Sequence, residues 1–315
     1  MYKPATLYSN YSINDNNNIF KDDSEILSID SKEPHIKLKE VFKNYGYDLS
    51  TKDLNKVENS SFTIFYDMPL GINEINIPEN SYLILWECEV IAPSNWVLKN
   101  HLRFKKIFTW DNSLVDNVKY FKIQYPNKLN FSVKSYEEKK LVTMLAGNKY
   151  SNHPLELYSK RKNVIDWFEK NKIDGFQFYG IGWDKLITSN RYFNFLLRKL
   201  NFNKLFSPKY KNYKGFVANK KDALEIYKFC FCFENSVNEE EYISEKIFDC
   251  FSAGTVPIYM GSKKINNTIP SNTMILYSEF KNINDLYQHL TSMKKTDYDE
   301  IILNQYFFVT SLVAI

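Results

Sequence analysis

The chain has 315 residues, room for about two domains of ordinary size, each able to bury its own core. Its 44% hydrophobic and 17% aromatic content argues against a disordered chain, and the net charge of +4, from 41 basic and 37 acidic residues, does not demand nucleic acid while suiting an anionic small molecule. Four cysteines without a CxxC pair and four scattered histidines argue against a zinc site or a disulfide framework.

The amino terminus, MYKPATLYSNYSINDNNN, has neither a basic nor an apolar signal-like region, and no apolar run approaches the ~18 residues of a membrane span. The chain therefore reads as soluble and cytoplasmic, a reading that leaves room for peripheral membrane contact. Asn59-Ser60-Ser61 and Asn266-Asn267-Thr268 are then chance glycosylation triplets, because that chemistry requires secretion.

Short apolar runs alternate with longer amphipathic stretches, the pattern of an α/β protein with mostly parallel sheets. Phe62–Tyr66, Tyr82–Trp86 and Lys106–Thr109 read as strands. The polar stretch Lys134–Lys140 separates the halves, giving expected domains at 1–140 and 141–300 and a terminal segment, 301–315, packed on the fold. Leu141–Leu145 reads as a strand, Leu155–Asn171 as a helix, and Phe176–Tyr179 as a strand ending at Gly180-Ile181-Gly182. That turn begins like a dinucleotide loop, but the third glycine position is Lys185.

Phe229–Phe233 is expected to be a buried strand stopping at Glu234-Asn235-Ser236. Asn238 then offers a helix cap, with Glu241 at the capping-box position, and Ala253-Gly254 and Pro257 end the helix before a strand at Val256–Met260. The result is a βαβ unit, whose ligands bind outside the carboxyl ends of its strands. Ile243, Ile247, Phe248 and Phe251 make its apolar stripe. Tyr242, Glu245, Lys246 and Asp249 share a polar face, which spacing alone reads equally well as solvated or as ligand-binding. Asp297-Tyr298-Asp299, formally a metal-type DxD, lies in a polar stretch expected to be a loop.

The ordered set Phe233-Glu234-Asn235-Ser236, Tyr242, Ser244-Glu245-Lys246, Ala253-Gly254, Val256-Pro257-Ile258 and Gly261 resembles the α-1,3-fucosyltransferase family, glycosyltransferase family 10. The resemblance runs from about Tyr227 to Pro270. It implies two Rossmann-like domains facing a cleft, the GT-B type, and inverting transfer of L-fucose from GDP-fucose to a hydroxyl of an oligosaccharide or glycoconjugate acceptor. By the same resemblance Asn235, Tyr242, Glu245 and Lys246 bind the donor, Glu245 on the ribose and Lys246 on the diphosphate. Lys211 stands near where bacterial members place an arginine for the diphosphate, a departure that gives up the bidentate fork, and Arg161 is a further candidate phosphate ligand, equally read as a surface helix residue. Trp86-Glu87-Cys88-Glu89 resembles the family's acidic acceptor-domain segment. Glu87 is thus the expected general base and Glu89 the reserve, both on one side if the segment is extended. No metal or cofactor is required, although stimulation by a divalent ion stays compatible. The alternatives are another nucleotide sugar on the same fold, or a non-catalytic nucleotide- or carbohydrate-binding protein.

Overall fold

Strands that pair in parallel need crossover connections, whose helices bury both faces of the sheet. The computed structural model describes residues 2–21, 32–124, 131–188, 191–200, 208–238 and 240–313. The chain divides into two compact units, one of 1–128 with Glu240–Tyr242, the other of 129–239 with 243–315. The second unit thus begins upstream of the expected 140/141 boundary, and its sheet opens at Lys140.

The first unit holds β1 (Lys3–Ser9), α1 (Glu33–Asn44), β2 (Tyr47–Thr51), β3 (Thr63–Tyr66), β4 (Ser81–Leu85), α2 (Leu98–His101), β5 (Lys106–Thr109) and β6 (Tyr120–Lys122). Its sheet runs in the order β2-β1-β3-β4-β5-β6 among the described residues, every pair parallel. Leu7, Leu49 and Ile64 pack on one side, and Phe65, Leu83 and Ile107 on the other. The order reverses between β1 and β3, the kind of switch point outside which open parallel sheets bind ligands.

In the second unit, β7 (Lys140–Leu145), α3 (Tyr158–Asn171), β8 (Phe176–Tyr179), α4 (Arg191–Lys199), α5 (Lys220–Leu224), β9 (Tyr227–Asn238), α6 (Glu245–Ser252), β10 (Val256–Ser262) and β11 (Ile275–Leu276) precede α7 (Ile283–Ser292) and α8 (Lys295–Val313). The described strands form a parallel sheet in the order β11-β10-β9-β7-β8, which reverses between β7 and β9.

Three expected boundaries are corrected. The helix after β9 starts at Glu245, capped by the Ser244 side chain, and not at Asn238, which extends the strand and pairs with Ser262. Asp297-Tyr298-Asp299 lies in the first turns of α8 and not in a loop: Tyr298 is buried in the core, and Asp299 pairs with Lys295. The helix expected from Leu155 begins at Tyr158, because Glu156 bridges to Ser236 and Leu157 donates its N–H to the Asn235 carbonyl at 3.1 Å.

Within α8, Gln305 and Val309 are buried; residues 314 and 315 of the terminal segment lie outside the described residues.

Candidate functional site

At the switch point of the second sheet, β9 carries an all-apolar run into Glu234, whose carboxylate is completely buried. A buried carboxylate requires partners. It accepts from the Ser244 N–H at 2.9 Å, from the Ser244 hydroxyl at 2.6 Å and from Lys246 Nζ at 3.2 Å. Lys246 also donates to Ser244 Oγ at 2.8 Å, so two of its three protons have partners among the described residues. The amino terminus of α6 is thereby locked to the carboxyl end of β9. Gly261 on β10 makes room for this, since a Cβ there would lie 2.6 Å from Glu234 Cγ.

Charges alternate around the cluster. Lys220 reaches Asp249 at 2.8 Å and Glu245 at 3.6 Å. Burial opposes ionisation of Glu245, but the Lys246 and Lys220 ammonium groups prevail and hold its carboxyl at about 2. Burial likewise opposes the Lys246 charge, and Glu234 and Glu245 outweigh it, raising its pKa. Both groups are therefore ionised across the physiological range.

Arg161 is a buried residue of α3 and not a surface arginine. Its Nη2 donates to the carbonyls of Phe233 and Glu234 at 2.6 and 2.7 Å and to Asn235 Oδ1 at 3.2 Å. It orders the end of β9 and adds positive charge beside Lys246. Asn235, Glu245, Lys246 and Arg161 are thus brought together. Lys211 is not: it stands exposed, 3.9 Å from Asp174 of the turn that precedes β8.

A cleft of about 420 Å³ opens beside the cluster at the carboxyl ends of β7 and β8, lined among others by Leu145, Gly147, Lys149, Tyr179, Phe216 and Lys220. Its volume is that of a small-molecule site. Gly180 shapes it, with φ of +142° and a backbone so near Ala146 that a Cβ would lie 1.9 Å from the carbonyl oxygen. Gly180→Ala is expected to cost roughly 3 kcal/mol or more through strain and displacement of the β7 loop, read as a lowered midpoint in urea unfolding.

In the first unit, the chain after β4 bends at Glu87 and turns, with the Cys88 carbonyl accepting from Ile91 and Ala92, so the expected extended segment is not formed. Glu87 is half-buried and accepts from the Tyr242 hydroxyl at 3.3 Å, whereas Glu89 is exposed. Tyr242 is buried against Trp110 and Cys88. It belongs to the first unit and precedes α6, so it does not share a helix face with Glu245 and Lys246. Neighbouring Glu241 pairs with Lys122 at 3.0 Å.

Two residues without a motif hold Glu87. Asp67, buried and in the left-handed region at φ +61°, accepts at Oδ1 from the N–H groups of Trp86 and Glu87 at 2.9 and 3.0 Å and from Asn95 Nδ2 at 2.7 Å. Asn95 in turn donates to the Glu87 carbonyl at 3.2 Å and accepts from the Met68 N–H at 2.7 Å. Burial raises the pKa of the Asp67 carboxyl against the pull of those bonds, and it raises that of the Tyr11 hydroxyl, assisted by the nearby charges of Glu87 and Asp67. Asp67→Ala orphans three donors and is expected to lower unfolding free energy by about 2–4 kcal/mol in a denaturant titration.

The two units, each built on a parallel sheet whose strand order reverses once, have the architecture of the GT-B type. Residues 183–308 match the C-terminal domain of glycosyltransferase family 10 (fucosyltransferase). It is 39% identical over 75 residues to GDP-fucose protein O-fucosyltransferase 3 of Bos taurus and 34% identical over 74 residues to the α-(1,3)-fucosyltransferase FucT of Helicobacter pylori. Each stretch takes in 24% of this chain, but only 16% and 15% of those relatives' lengths.

A solved α1,3-fucosyltransferase superposes with a TM-score of 0.56 at 17% identity, covering 96% of this chain and 82% of the other. An α-glucosyltransferase in complex with UDP and a DNA 13-mer gives 0.57 at 10% identity, covering 98% and 95%. Identities this low speak to fold alone. Among the described residues no group of three or more His, Cys, Asp or Glu could hold a metal ion, and no helix is long and apolar enough to cross a membrane.

Proposed function

We propose that the chain moves L-fucose from GDP-fucose to a hydroxyl of an acceptor glycan with inversion at the anomeric carbon. The observation that carries this reading is the cluster at the β7/β9 switch point: Lys246 held on buried Glu234 at the start of α6, with Arg161 and Lys220 nearby and an open cleft alongside. Lys246 neutralises the diphosphate, assisted by the charge of Arg161, and Glu245 accepts from the ribose hydroxyls. Asn235 contributes through its bond to Arg161.

Glu87 acts as general base. Its carboxylate takes the acceptor hydroxyl's proton while that oxygen bonds the anomeric carbon, and the bond to the phosphate oxygen breaks with its electron pair leaving on GDP. Glu89 remains the reserve base. Tyr242 serves by holding Glu87. One displacement inverts the centre, and no covalent intermediate or metal is required. Action in the cytoplasm is part of the proposal, supported by four buried cysteines, none in a disulfide.

Incubating purified protein with a panel of GDP- and UDP-sugars, with and without acceptor glycans, tests this through nucleotide release. Acceptor-dependent release from GDP-fucose is expected. Turnover of a different donor in its place would redirect the assignment, and saturable binding of GDP without turnover of any donor would leave a non-catalytic binding protein.

A further inference from the structure

Helix α4 carries an apolar face turned to solvent. Tyr192, Phe193, Phe195 and Leu196 are 87%, 46%, 60% and 48% exposed, while Leu197 is 5% exposed. At the helical period those four residues fall on one continuous side. Leu200 extends it: its N–H bonds the Leu196 carbonyl at 3.0 Å, and its side chain is 49% exposed. The start of the helix is fixed by Asn194, whose side chain exchanges bonds with Thr188.

The surrounding sequence is cationic. From Lys185 to Lys221 there are ten Lys or Arg and no Asp or Glu, in a chain whose 41 basic and 37 acidic residues are otherwise close to balance. Lys199, Lys209 and Lys214 are exposed. A short helix with an aromatic and aliphatic face, set in a segment free of acidic residues, has the chemistry of an element that lies in the plane of an anionic bilayer surface. Single-stranded nucleic acid also takes aromatic and basic side chains. Leu196 and Leu200 favour lipid, because aliphatic side chains gain from entering hydrocarbon and offer no ring for base stacking.

We propose that α4 docks this protein on membranes rich in anionic lipid, its apolar face at the boundary of headgroups and acyl chains and its lysines over the headgroups. The inference is independent of the donor and acceptor assignments.

Co-sedimentation with phosphatidylcholine vesicles, with or without about a third phosphatidylglycerol, tests it. The protein is expected to bind the anionic vesicles at least ~10-fold more tightly than the neutral ones, and less tightly as salt rises. The combined variant Tyr192→Ser, Phe193→Ser, Phe195→Ser and Leu196→Ser should lose about 100-fold in vesicle affinity while keeping the parent's unfolding midpoint and its affinity for GDP. A parent protein that stays in the supernatant with both vesicles overturns the proposal. So does a folded variant that sediments as well as the parent, a parent that binds a single-stranded oligonucleotide in preference to anionic vesicles, or gel filtration showing that the same face closes a dimer the variant cannot form.

Discussion

Replacing Lys246 by alanine is expected to weaken GDP binding by about 2–3 kcal/mol, roughly 30- to 150-fold, in a calorimetric titration. The loss has two parts. The diphosphate forfeits the charged partner proposed for it, and Glu234, completely buried, forfeits the ammonium group 3.2 Å away. The second part acts on the protein without ligand and should lower unfolding free energy by about 1–3 kcal/mol. The parts separate in the double variant Lys246→Ala, Glu234→Gln: removing the orphaned charge should restore most of the stability and none of the GDP affinity, a coupling expected of residues in direct contact. If Lys246→Ala binds GDP as the parent does, Lys246 has no role in holding the donor.

The second large effect concerns the first unit. Glu87→Gln keeps the shape of the side chain and its capacity to accept from Tyr242, but it removes the proposed base. A fall in kcat of roughly 100- to 10,000-fold is expected, with GDP affinity unchanged because every group assigned to the nucleotide lies in the second unit. A fully active Glu87→Gln with an inactive Glu89→Gln would move the base to the reserve position. The backbone N–H groups of Trp86 and Glu87 stay on Asp67 in either variant, so a rate effect without a change in unfolding midpoint separates chemistry from folding.

The strands were largely legible because an apolar run bounded by turn residues satisfies the same rule in sequence and in space: Lys106–Thr109 and Phe176–Tyr179 are strands with the expected limits. The start of α6 was not. Asn238 followed by Glu241 meets the local capping rule, yet Ser244 is the cap, because its neighbours are fixed over long range. Glu241 is drawn to Lys122, Tyr242 to Trp110 and Ser244 to buried Glu234. No spacing rule sees those partners. The burial of Arg161 did leave a signal: it falls in the stripe of Tyr158, Val164, Ile165 and Phe168, at the helical period of the face that α3 buries.

Within the site, Glu245 and Lys246 were readable as adjacent charges at a helix start, and Asn235 as a polar residue closing an apolar strand. Glu234 could have been singled out by the same logic, as a carboxylate ending a run that is otherwise phenylalanine and cysteine. Asp67 and Asn95 could not. They stand 28 residues apart, carry no motif, and become a unit only when β3 and the loop after β4 bring Asn95 Nδ2 within 2.7 Å of Asp67 Oδ1.

Hydrogen exchange with and without GDP tests most directly where the nucleotide is held. Slowed exchange is predicted at the amides of Ser244–Ile247, at the start of α6, and in the loop Ala146–Lys149 after β7, with first-unit strands unaffected. Protection confined to the first unit, or none at saturating GDP, would contradict the assignment of the donor to the β7/β9 switch point.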